Sequence, residues 1–355
     1  MLKSFFKKLV RDRIFRIFLI LLLVFSLIKT FSDNPKPEYP KPPIAADQIN
    51  EKHVLSYFFY WYDLPKGYHD DYLVDHPIDK NASYENPDWF KNELLDMEEA
   101  GIDTALAVYW TKNESFSQVG LKNMVKAREI LISEGKSPPK IALFLDTNAF
   151  GKLPKNKRNF LTDNGRQHFF SYIEDFYNEV PSEHRATIEG KPIIWLFGNY
   201  QELLVDQTAI DFVYSNFEKK FRVRPYIVRE STWNYARKMK LFGSYVDYQM
   251  PIKTDNYYGW GGAFLGTVDV GGVVVVGPGY DTRHIPDRLN EKFVEREDGS
   301  FYEKNLKKAI KTNKSLLAVE TWNEFHEGSD IAHSQEYGKK YIEITKKYVD
   351  QFRKK

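Results

Sequence analysis

The segment Ser315-Leu-Leu-Ala-Val-Glu-Thr-Trp-Asn-Glu-Phe-His-Glu-Gly-Ser329 joins a short apolar run to a polar sequence with two glutamates three residues apart. The apolar run Leu316–Val319 predicts a buried β-strand, since short apolar runs bounded by polar residues are typical of strands inside parallel sheets. Glu324 and Glu327 follow the end of this strand. They are a candidate acid and base.

The spacing of Glu324 and Glu327 has two interpretations. If the chain turns helical after the strand, residues i and i+3 share a face with Cβ atoms roughly 5–6 Å apart, close to the ~5–5.5 Å carboxyl separation of retaining glycosidases. Two acids at the start of a solvated helix are also common, because they favour the positive end of the helix dipole. Trp322, Phe325 and His326 favour the first interpretation, because aromatic surroundings bury a carboxyl group and raise its pKa towards that of a general acid.

Seven further apolar runs precede this strand, and segments with helical periodicity separate most of them. Eight strand-like runs alternating with helical patterns predict a (β/α)8 TIM barrel, which commonly uses about 250 residues or more as one domain. The eight runs are Val54–Tyr62, Ile102–Trp110, Lys140–Asp146, Pro192–Gly198, Arg224–Arg229, Tyr245–Met250, Gly272–Gly277 and Ser315–Glu320.

The connecting segments differ in character. Residues 254–271 are rich in Gly and aromatic residues, which predicts a long functional loop between the sixth and seventh strands. The clearest helical patterns are Pro87–Ala100 with Gly101 as its C-cap, Leu121–Glu134, Gly165–Val180 and Gln335–Phe352.

A barrel carries its active site on the loops that follow its strands. We therefore expect the polar and aromatic side chains after the eight runs to share one rim with Glu324 and Glu327. Aromatic surfaces, polar groups and two carboxyl groups together are what hydrolysis of a glycosidic bond requires. The predicted substrate contacts are Tyr60, Trp61, Tyr62, His76, Trp110, Asp146, Tyr280, Asp281, Asn323 and His326, and the same rim holds His69, Asp71, Asn148 and Glu320.

Several rim residues also have structural interpretations. Asp281 and Arg283 are spaced for an ion pair, and His76 before Pro77 is suited to fixing a loop by a hydrogen bond. Their joint placement on one rim favours a binding surface.

Composition excludes several classes of function. The chain has no cysteine, so disulfides, thiolate metal sites and a cysteine nucleophile are excluded. No motif for zinc, phosphate or dinucleotide binding is present, so we expect no metal and no cofactor. Basic residues concentrate in residues 1–31 of a chain whose net charge is +2, which leaves a mildly acidic body. An acidic body without a basic stripe argues against a nucleic-acid partner.

The N-terminus has the layout of a signal sequence. The apolar run Ile17–Ile28 follows several basic residues, and the wider segment 14–31 has 18 residues, about 27 Å as a helix and enough to cross a bilayer. No small-residue cleavage site follows, which favours an uncleaved single-pass anchor with a cytoplasmic N-terminus over a cleaved signal. We expect 1–31 as anchor, 32–50 as a Pro-rich linker and 51–355 as an extracytoplasmic barrel, or a secreted barrel if cleavage occurs.

Three motifs resemble glycoside hydrolase family 99 and its bacterial relatives, a group known for endo-α-1,2-mannosidases and mannanases. They are Tyr57-Phe-Phe-Tyr-Trp-Tyr62 with His76-Pro77, Val276-Gly-Pro-Gly-Tyr-Asp-Thr-Arg-His-Ile-Pro-Asp-Arg288, and Asn323-Glu-Phe-His-Glu-Gly328. They occur in the family's order and span nearly the whole body. The resemblance implies a (β/α)8 barrel, retention of anomeric configuration and no metal.

The resemblance also implies roles for the two glutamates. Glu324 would act as a base on the substrate's own 2-hydroxyl and give an anhydro-sugar intermediate. Glu327 would protonate the leaving oxygen and later activate water. Two features depart from the family pattern: Phe325 replaces a Trp, and Leu143-Phe-Leu-Asp-Thr-Asn148 replaces a His-Ile-Glu-Pro-like segment, which puts mannose specificity in question.

The sequence therefore predicts a membrane-anchored glycoside hydrolase that cleaves an α-linked glycan or polysaccharide with Glu324 and Glu327. The competing interpretation is a non-catalytic glycan-binding or polysaccharide-assembly protein on the same barrel, since a barrel can keep its cleft and lose turnover. An esterase or deacetylase is a third interpretation, although no Gly-x-Ser-x-Gly elbow is present.

Overall fold

The computed structural model describes residues 51–355 except 112, 152, 155–156, 200–202, 242–243 and 287–291, and describes the backbone alone of 236–241 and 244–248. The predicted anchor 14–31 and the predicted linker 32–50 lie outside the described residues. Within the described range, no helix combines the length and apolar character that a membrane crossing needs.

In the described part of the chain, eight parallel strands form a nearly closed barrel, which confirms a mixed α/β barrel. These strands are β1 (His53–Phe58), β2 (Thr104–Tyr109), β3 (Lys140–Leu145), β4 (Lys191–Leu196), β5 (Tyr226–Glu230), β6 (Asn256–Tyr258), β7 (Val273–Val276) and β8 (Leu316–Val319). Strand β8 pairs with β1, and the ladder continues through β2, β3, β4 and β5 to β6, while β7 pairs with the other side of β8.

The seam between β6 and β7 is joined by a side chain. The Asn256 Oδ1 atom accepts a hydrogen bond from the Gly272 amide at 2.9 Å. A further strand, Thr267–Val270, pairs with β7 in the antiparallel sense beside this seam. The seam is therefore covered by an antiparallel strand and bridged by one side-chain hydrogen bond.

The prediction that Tyr245–Met250 forms the sixth barrel strand was wrong. Residues Ser244–Pro251 pair with Asn234–Leu241 as an antiparallel hairpin that forms a separate sheet, and the sixth barrel strand is β6. Asp247 and Gln249 interrupt the apolar character of the hairpin strand, whereas strands buried on both faces are continuously apolar. The true strand β6 has only three residues, too few to show a periodic pattern.

The helices pack around the barrel and supply the outer half of the core. The four helices that the sequence predicts are present. The described residues also form two further long helices, Gln207–Phe221 and Ser300–Lys311. The α-helices of more than four residues in the described part are α1 (Pro87–Ala100), α2 (Leu121–Ser133), α3 (Asp163–Glu179), α4 (Gln207–Phe221), α5 (Ser300–Lys311) and α6 (Lys340–Arg353), and the short α-helices are Asn148–Gly151 and Gly262–Leu265.

The ends of α1 follow the sequence. The Asn86 side chain accepts a hydrogen bond from the Asp88 amide at the N-terminus of α1, and Gly101 ends the helix with a φ of 80°, as the C-cap prediction required. These caps satisfy backbone groups that would otherwise lack partners at the helix ends.

Candidate active site

A cavity of about 390 Å³ opens at the C-terminal ends of the barrel strands. Loops after β1, β3, β4, β6, β7 and β8 contribute to it. Its apolar wall consists of Phe59, Trp61, Tyr72, Phe144, Phe197, Trp260 and Ile285, and its polar wall consists of His69, Asp71, Asp146, Asn148, Glu324, His326 and Glu327.

Glu324 and Glu327 lie on one tight turn in this wall. Residues Phe325–Glu327 form a single 3-10 turn that begins directly after Glu324, and residues three apart eclipse each other in such a turn. The Glu324 Oε1 atom accepts a hydrogen bond from the His326 backbone amide at 3.3 Å and contacts the His326 Nδ1 atom at 2.9 Å. Glu324 is 5% exposed and Glu327 is partly exposed. The structure thus brings both carboxyl groups to the same cavity.

The turn that carries the two glutamates is held by β1 and its loop. The Asn323 Oδ1 atom accepts a hydrogen bond from the Phe59 amide at 2.7 Å. The Tyr62 hydroxyl donates to the Asn323 carbonyl at 2.9 Å and accepts from the Phe325 amide at 3.1 Å. Asn323 and Tyr62 therefore fix the geometry of the turn from behind, and neither lines the cavity.

Behind the turn, a buried carboxyl group also holds Trp322. The Trp322 indole donates to Glu93 Oε2 at 2.6 Å, and the Trp89 indole donates to Glu93 Oε1 at 3.1 Å. Both tryptophans are fully buried. Burial raises the pKa of Glu93 to about 8, although the indole hydrogen bonds oppose the rise.

The charge of His326 depends on two opposing effects. Burial lowers the pKa of the His326 imidazole, but its hydrogen bond to Glu324 and the charges of Glu324, Asp71 and Glu327 raise it more, so the pKa ends above its usual value.

Asp146 adds a third carboxyl group to the wall. It accepts hydrogen bonds from the Trp110 indole at 2.8 Å and from the Asn148 amide at 2.9 Å. Burial raises the pKa of Asp146 to about 6, with the charge of Glu324 adding to the rise and the two hydrogen bonds opposing it. Trp110 is thus placed beside the cavity, through its bond to Asp146.

Glu320 is a buried carboxyl group that the sequence placed on the rim without a role. It directly follows β8, and its Oε2 atom accepts hydrogen bonds from the Gly261 and Gly262 amides at 3.0 and 2.9 Å. These bonds fix the turn that carries Trp260 into the cavity wall. Burial raises the pKa of Glu320 to about 8, and the charge of Glu327 contributes to the rise.

Of the predicted substrate contacts, Trp61, Asp146 and His326 line the cavity and Tyr60 and His76 lie away from it. Tyr60 has no exposed surface, and its ring lies 5.9 Å from that of Phe90 on α1. Successive side chains of an extended chain point to opposite faces, so Phe59 and Trp61 face inward. His76 is exposed and pairs with Glu336 at 2.8 Å.

Tyr280 and Asp281 line a second pocket instead of this cavity. The Asp281 carboxylate pairs with Arg283, which lowers the pKa of Asp281. This is the ion pair that their spacing in the sequence suggested. His69, Asp71 and Asn148 line the cavity. The sequence placed them on the rim because they follow predicted strands. Trp260 lies in the segment 254–271 that the sequence predicts as a functional loop. Phe59, Tyr72 and Phe197 had no comparable signal.

The donor side chains do not form a metal site. Among the described residues, no group of three or more His, Asp or Glu side chains is arranged to hold a metal ion. The groups that the cavity offers to a substrate are its carboxyl groups, imidazoles and aromatic rings.

Comparison with known proteins places this site in a family. A family model described as "Domain of unknown function (DUF5010)" matches residues 48–355. The chain belongs to the DUF5010 family. The match includes every barrel strand and both glutamates of the 3-10 turn.

Solved structures similar to this DUF5010 chain include glycoside hydrolases. The GH99 endo-α-mannosidase from Bacteroides thetaiotaomicron, solved in complex with bis-tris-propane, superposes with a TM-score of 0.62 at 17% identity, covering 85% of this chain and 98% of that chain. A structure described as a glycoside hydrolase-like protein superposes with a TM-score of 0.57 at 12% identity, covering 86% and 96%. The resemblance to the GH99 group is thereby confirmed at the level of the fold.

Similarity in sequence to a curated enzyme is local. The glycoprotein endo-alpha-1,2-mannosidase of Mus musculus is 29% identical over 93 residues, which cover 22% of this chain and 20% of the mouse protein. The alignment thus spans about a fifth of the mouse enzyme's length.

Proposed function

We propose that this protein is a retaining glycoside hydrolase that cleaves an α-linked glycan, with Glu324 as base and Glu327 as acid. The observation that carries the proposal is the position of both carboxyl groups on one turn in the wall of an aromatic cavity, at the strand ends of a barrel shared with GH99 endo-α-mannosidases. An α-mannoside is the substrate class that these similar proteins suggest.

The cavity chemistry supports glycoside cleavage. Trp61, Phe144, Phe197 and Trp260 offer apolar ring surfaces on which a sugar ring can stack. The transition state of glycoside hydrolysis resembles a positively charged oxocarbenium ion. The described lining of the cavity includes carboxyl side chains at positions 71, 146, 324 and 327. The negative charge that Glu327 gains as it gives up its proton would stabilise such a state more than the neutral substrate.

The first step would break the glycosidic bond with help from both glutamates. Glu324 takes the proton of the substrate 2-hydroxyl, and the resulting oxygen forms a bond to C1 as the bond from C1 to the leaving oxygen breaks. Glu327 gives its proton to that leaving oxygen. The products are a shortened glycan and a 1,2-anhydro sugar, and the proton is now on Glu324.

The second step would return the site to its starting state. Glu327 takes a proton from a water molecule, whose oxygen attacks C1 and opens the anhydro ring. Glu324 gives its proton back to O2. Two displacements at C1 retain its configuration. At the end Glu327 again carries a proton and Glu324 again carries none.

The environment of Glu324 suits a base. Two contacts from His326 reach its Oε1 atom, one from the backbone amide at 3.3 Å and one from Nδ1 at 2.9 Å. A base must be held in position to take a proton from the substrate. These contacts hold the Glu324 carboxyl group in the cavity wall.

We also propose that residues 14–31 anchor the protein in a membrane, with the N-terminus in the cytoplasm and the body outside it. The basic flank and the apolar run support this proposal. Carbonate extraction of membranes checks it: the anchored protein stays in the membrane pellet, and a secreted, cleaved form is recovered from the medium with a new N-terminus.

The experiment that tests the proposed function is product release by the full-length protein from α-mannans and a panel of bacterial polysaccharides. Cleavage that falls by roughly 10²-fold or more in both Glu324→Gln and Glu327→Gln, as expected when an acid or base is lost, supports the hydrolase. Saturable binding without product, unchanged in both variants, would establish the glycan-binding alternative. The glycoside hydrolase family 99 pattern has a His-Ile-Glu-Pro-like segment at the end of the third strand, where this chain has Asp146. This difference favours the glycan-binding alternative.

A further inference from the structure

A second pocket of about 270 Å³ adjoins the turn that carries the two glutamates. Gly328, which directly follows Glu327, is part of its wall, together with Val74 from the loop after β1. The Val74 amide donates a hydrogen bond to the Phe325 carbonyl at 3.0 Å. The same short turn therefore separates this pocket, which we call the outer pocket, from the cavity with Glu324 and Glu327.

The lining of the outer pocket combines aromatic rings with carboxylates. Tyr280, Phe293, Tyr337 and Tyr341 contribute rings, and Asp281 lies beside Tyr280 on the same short strand. Phe293 is 51% exposed, a high value for a phenylalanine on a folded protein. Sugars are bound by ring surfaces that stack on their C–H faces and by carboxylates that accept their hydroxyl protons. This lining offers both.

The floor of the outer pocket is held by a buried network of charges. The Arg296 guanidinium bonds Asp75 Oδ2 at 2.5 Å, Asp330 Oδ1 at 2.9 Å and the Asp330 carbonyl at 2.7 Å. Its carbon atom lies 4.6 Å from the centre of the Tyr337 ring and 4.7 Å from that of Tyr341. A floor held in this way keeps the rings in place before any ligand binds, which lowers the entropy cost of binding.

Among the described residues, the buried hydroxyl of Tyr341 makes no hydrogen bond of acceptable geometry. Tyr341 is 1% exposed and lines the pocket, and Arg296 lies over its ring. The Arg296 guanidinium is the group that interacts with this hydroxyl, and their geometry leaves the hydroxyl able to accept or donate a better bond. A buried hydroxyl without a partner costs free energy, and most such groups in proteins are satisfied by protein, water or ligand. A sugar hydroxyl in the pocket would supply that bond.

We propose that the outer pocket is a distal sugar subsite, which binds a ring of a longer glycan whose scissile bond lies between Glu324 and Glu327. The inference rests on the proposed function and extends it, because a subsite beyond the catalytic turn makes the enzyme select for long chains. It also gives Tyr280 and Asp281 a place in substrate binding away from the catalytic cavity.

The test uses fluorescently labelled α-linked manno-oligosaccharides of increasing length with the full-length protein. Phe293→Ala removes an exposed ring, and Tyr341→Phe removes only the hydroxyl. Phe293 is an exposed ring with the Arg283 guanidinium 3.7 Å from its centre. Tyr257→Ala is the matched control, because Tyr257 is 39% exposed and has the Arg229 guanidinium 5.0 Å from its ring centre. Tyr257 does not line the outer pocket.

We expect the parent to have a higher kcat/KM for long than for short oligosaccharides. Phe293→Ala and Tyr341→Phe should each lower kcat/KM for long substrates by about 3- to 10-fold, as for loss of one stacking contact or one neutral hydrogen bond. For short substrates, kcat/KM should be the same in both variants as in the parent. The Tyr257→Ala control should have the parent's kcat/KM at every substrate length. Equal effects on short and long substrates, or none on long ones, would overturn the subsite.

The failure of the proposed function would be distinguishable. If the parent cleaves no oligosaccharide, that function fails, and fluorescence anisotropy with the same oligosaccharides then tests the subsite alone. Binding that strengthens with length and weakens in Phe293→Ala and Tyr341→Phe supports the subsite. Binding that is absent, or independent of length and of both substitutions, refutes it.

Discussion

Replacement of Glu93 by glutamine should change how the stability of the barrel depends on pH. Glu93 is buried between two indole N–H groups, those of Trp322 behind the catalytic turn and Trp89. Its pKa is raised from 4.5 to about 8, chiefly by burial. The amide side chain of the Glu93→Gln variant would be neutral at every pH and similar in shape to the protonated carboxyl group.

The sign of the effect follows from the direction of the pKa shift. Below pH 4.5 the carboxyl group is protonated in both the folded and the unfolded chain, so the neutral form's full contribution to stability is present. Between pH 4.5 and about 8 the unfolded chain loses the proton and the folded chain keeps it, so the free energy of unfolding falls as pH rises. With about 1.4 kcal/mol per pKa unit, the loss from about pH 5 to about pH 8 is about 3 to 4 kcal/mol.

The Glu93→Gln variant also has a cost that does not depend on pH. Its amide has one oxygen for two indole donors, so one buried N–H is left without a partner at about 1–3 kcal/mol. We therefore expect the free energy of unfolding of Glu93→Gln to be below that of the parent near pH 5. Near pH 8 it should equal or exceed that of the parent. Other buried acids such as Glu320 titrate in both proteins and cancel in the difference.

The assay is urea denaturation of the parent and of Glu93→Gln at intervals from about pH 5 to about pH 8, followed by tryptophan fluorescence. Glu99→Gln is the control, because Glu99 lies on the exposed side of the same helix α1 and pairs with Lys339. Parallel stability curves for the parent and Glu93→Gln across this range would refute the reasoning, since they would mean that Glu93 titrates alike in the folded and unfolded chains.

Two further predictions concern other buried charges. Arg296→Met should lower the free energy of unfolding by about 3–5 kcal/mol in urea denaturation, because Asp75 and Asp330 would stay buried without their partner; a loss below about 1 kcal/mol would contradict this. Trp110→Phe should raise the pKa of Asp146 above about 6, because the indole hydrogen bond opposes the rise caused by burial. Carbon-13 NMR titration of the carboxyl group measures it, and an unchanged or lower pKa would show that this bond does not stabilise the carboxylate.

The barrel could be predicted from the sequence because most of its strands are continuous apolar runs. Seven of the eight predicted runs overlap barrel strands, and the predicted run Ser315–Glu320 contains β8 with one extra residue at each end. The sixth strand could not be predicted, since β6 has three residues and is defined by pairing with β5 across the sheet. The hairpin strand Ser244–Pro251 has more strand-like residues than β6, and only tertiary pairing distinguishes them.

The part of the site that could be predicted from the sequence is the part in which neighbouring residues of one segment face the same way. Glu324, His326 and Glu327 lie on one turn, so their spacing placed them together. Tyr60 does not line the cavity, because the alternation of β1 continues past the strand end and turns its ring towards α1. Phe197 and Trp260 come from separate loops, and their meeting at the cavity depends on barrel closure, which a local pattern does not contain.

The most direct test of the central claim compares two leaving groups. We would measure kcat/KM for bond cleavage by the parent, Glu324→Gln and Glu327→Gln on an α-manno-oligosaccharide and on an α-mannoside with a dinitrophenyl leaving group. An acid is needed for the first substrate and not for the second, whereas the base is needed for both. The account predicts a loss of about 10²-fold or more in Glu327→Gln on the oligosaccharide alone, and a comparable loss in Glu324→Gln on both. Equal activity of all three proteins on the oligosaccharide would contradict it.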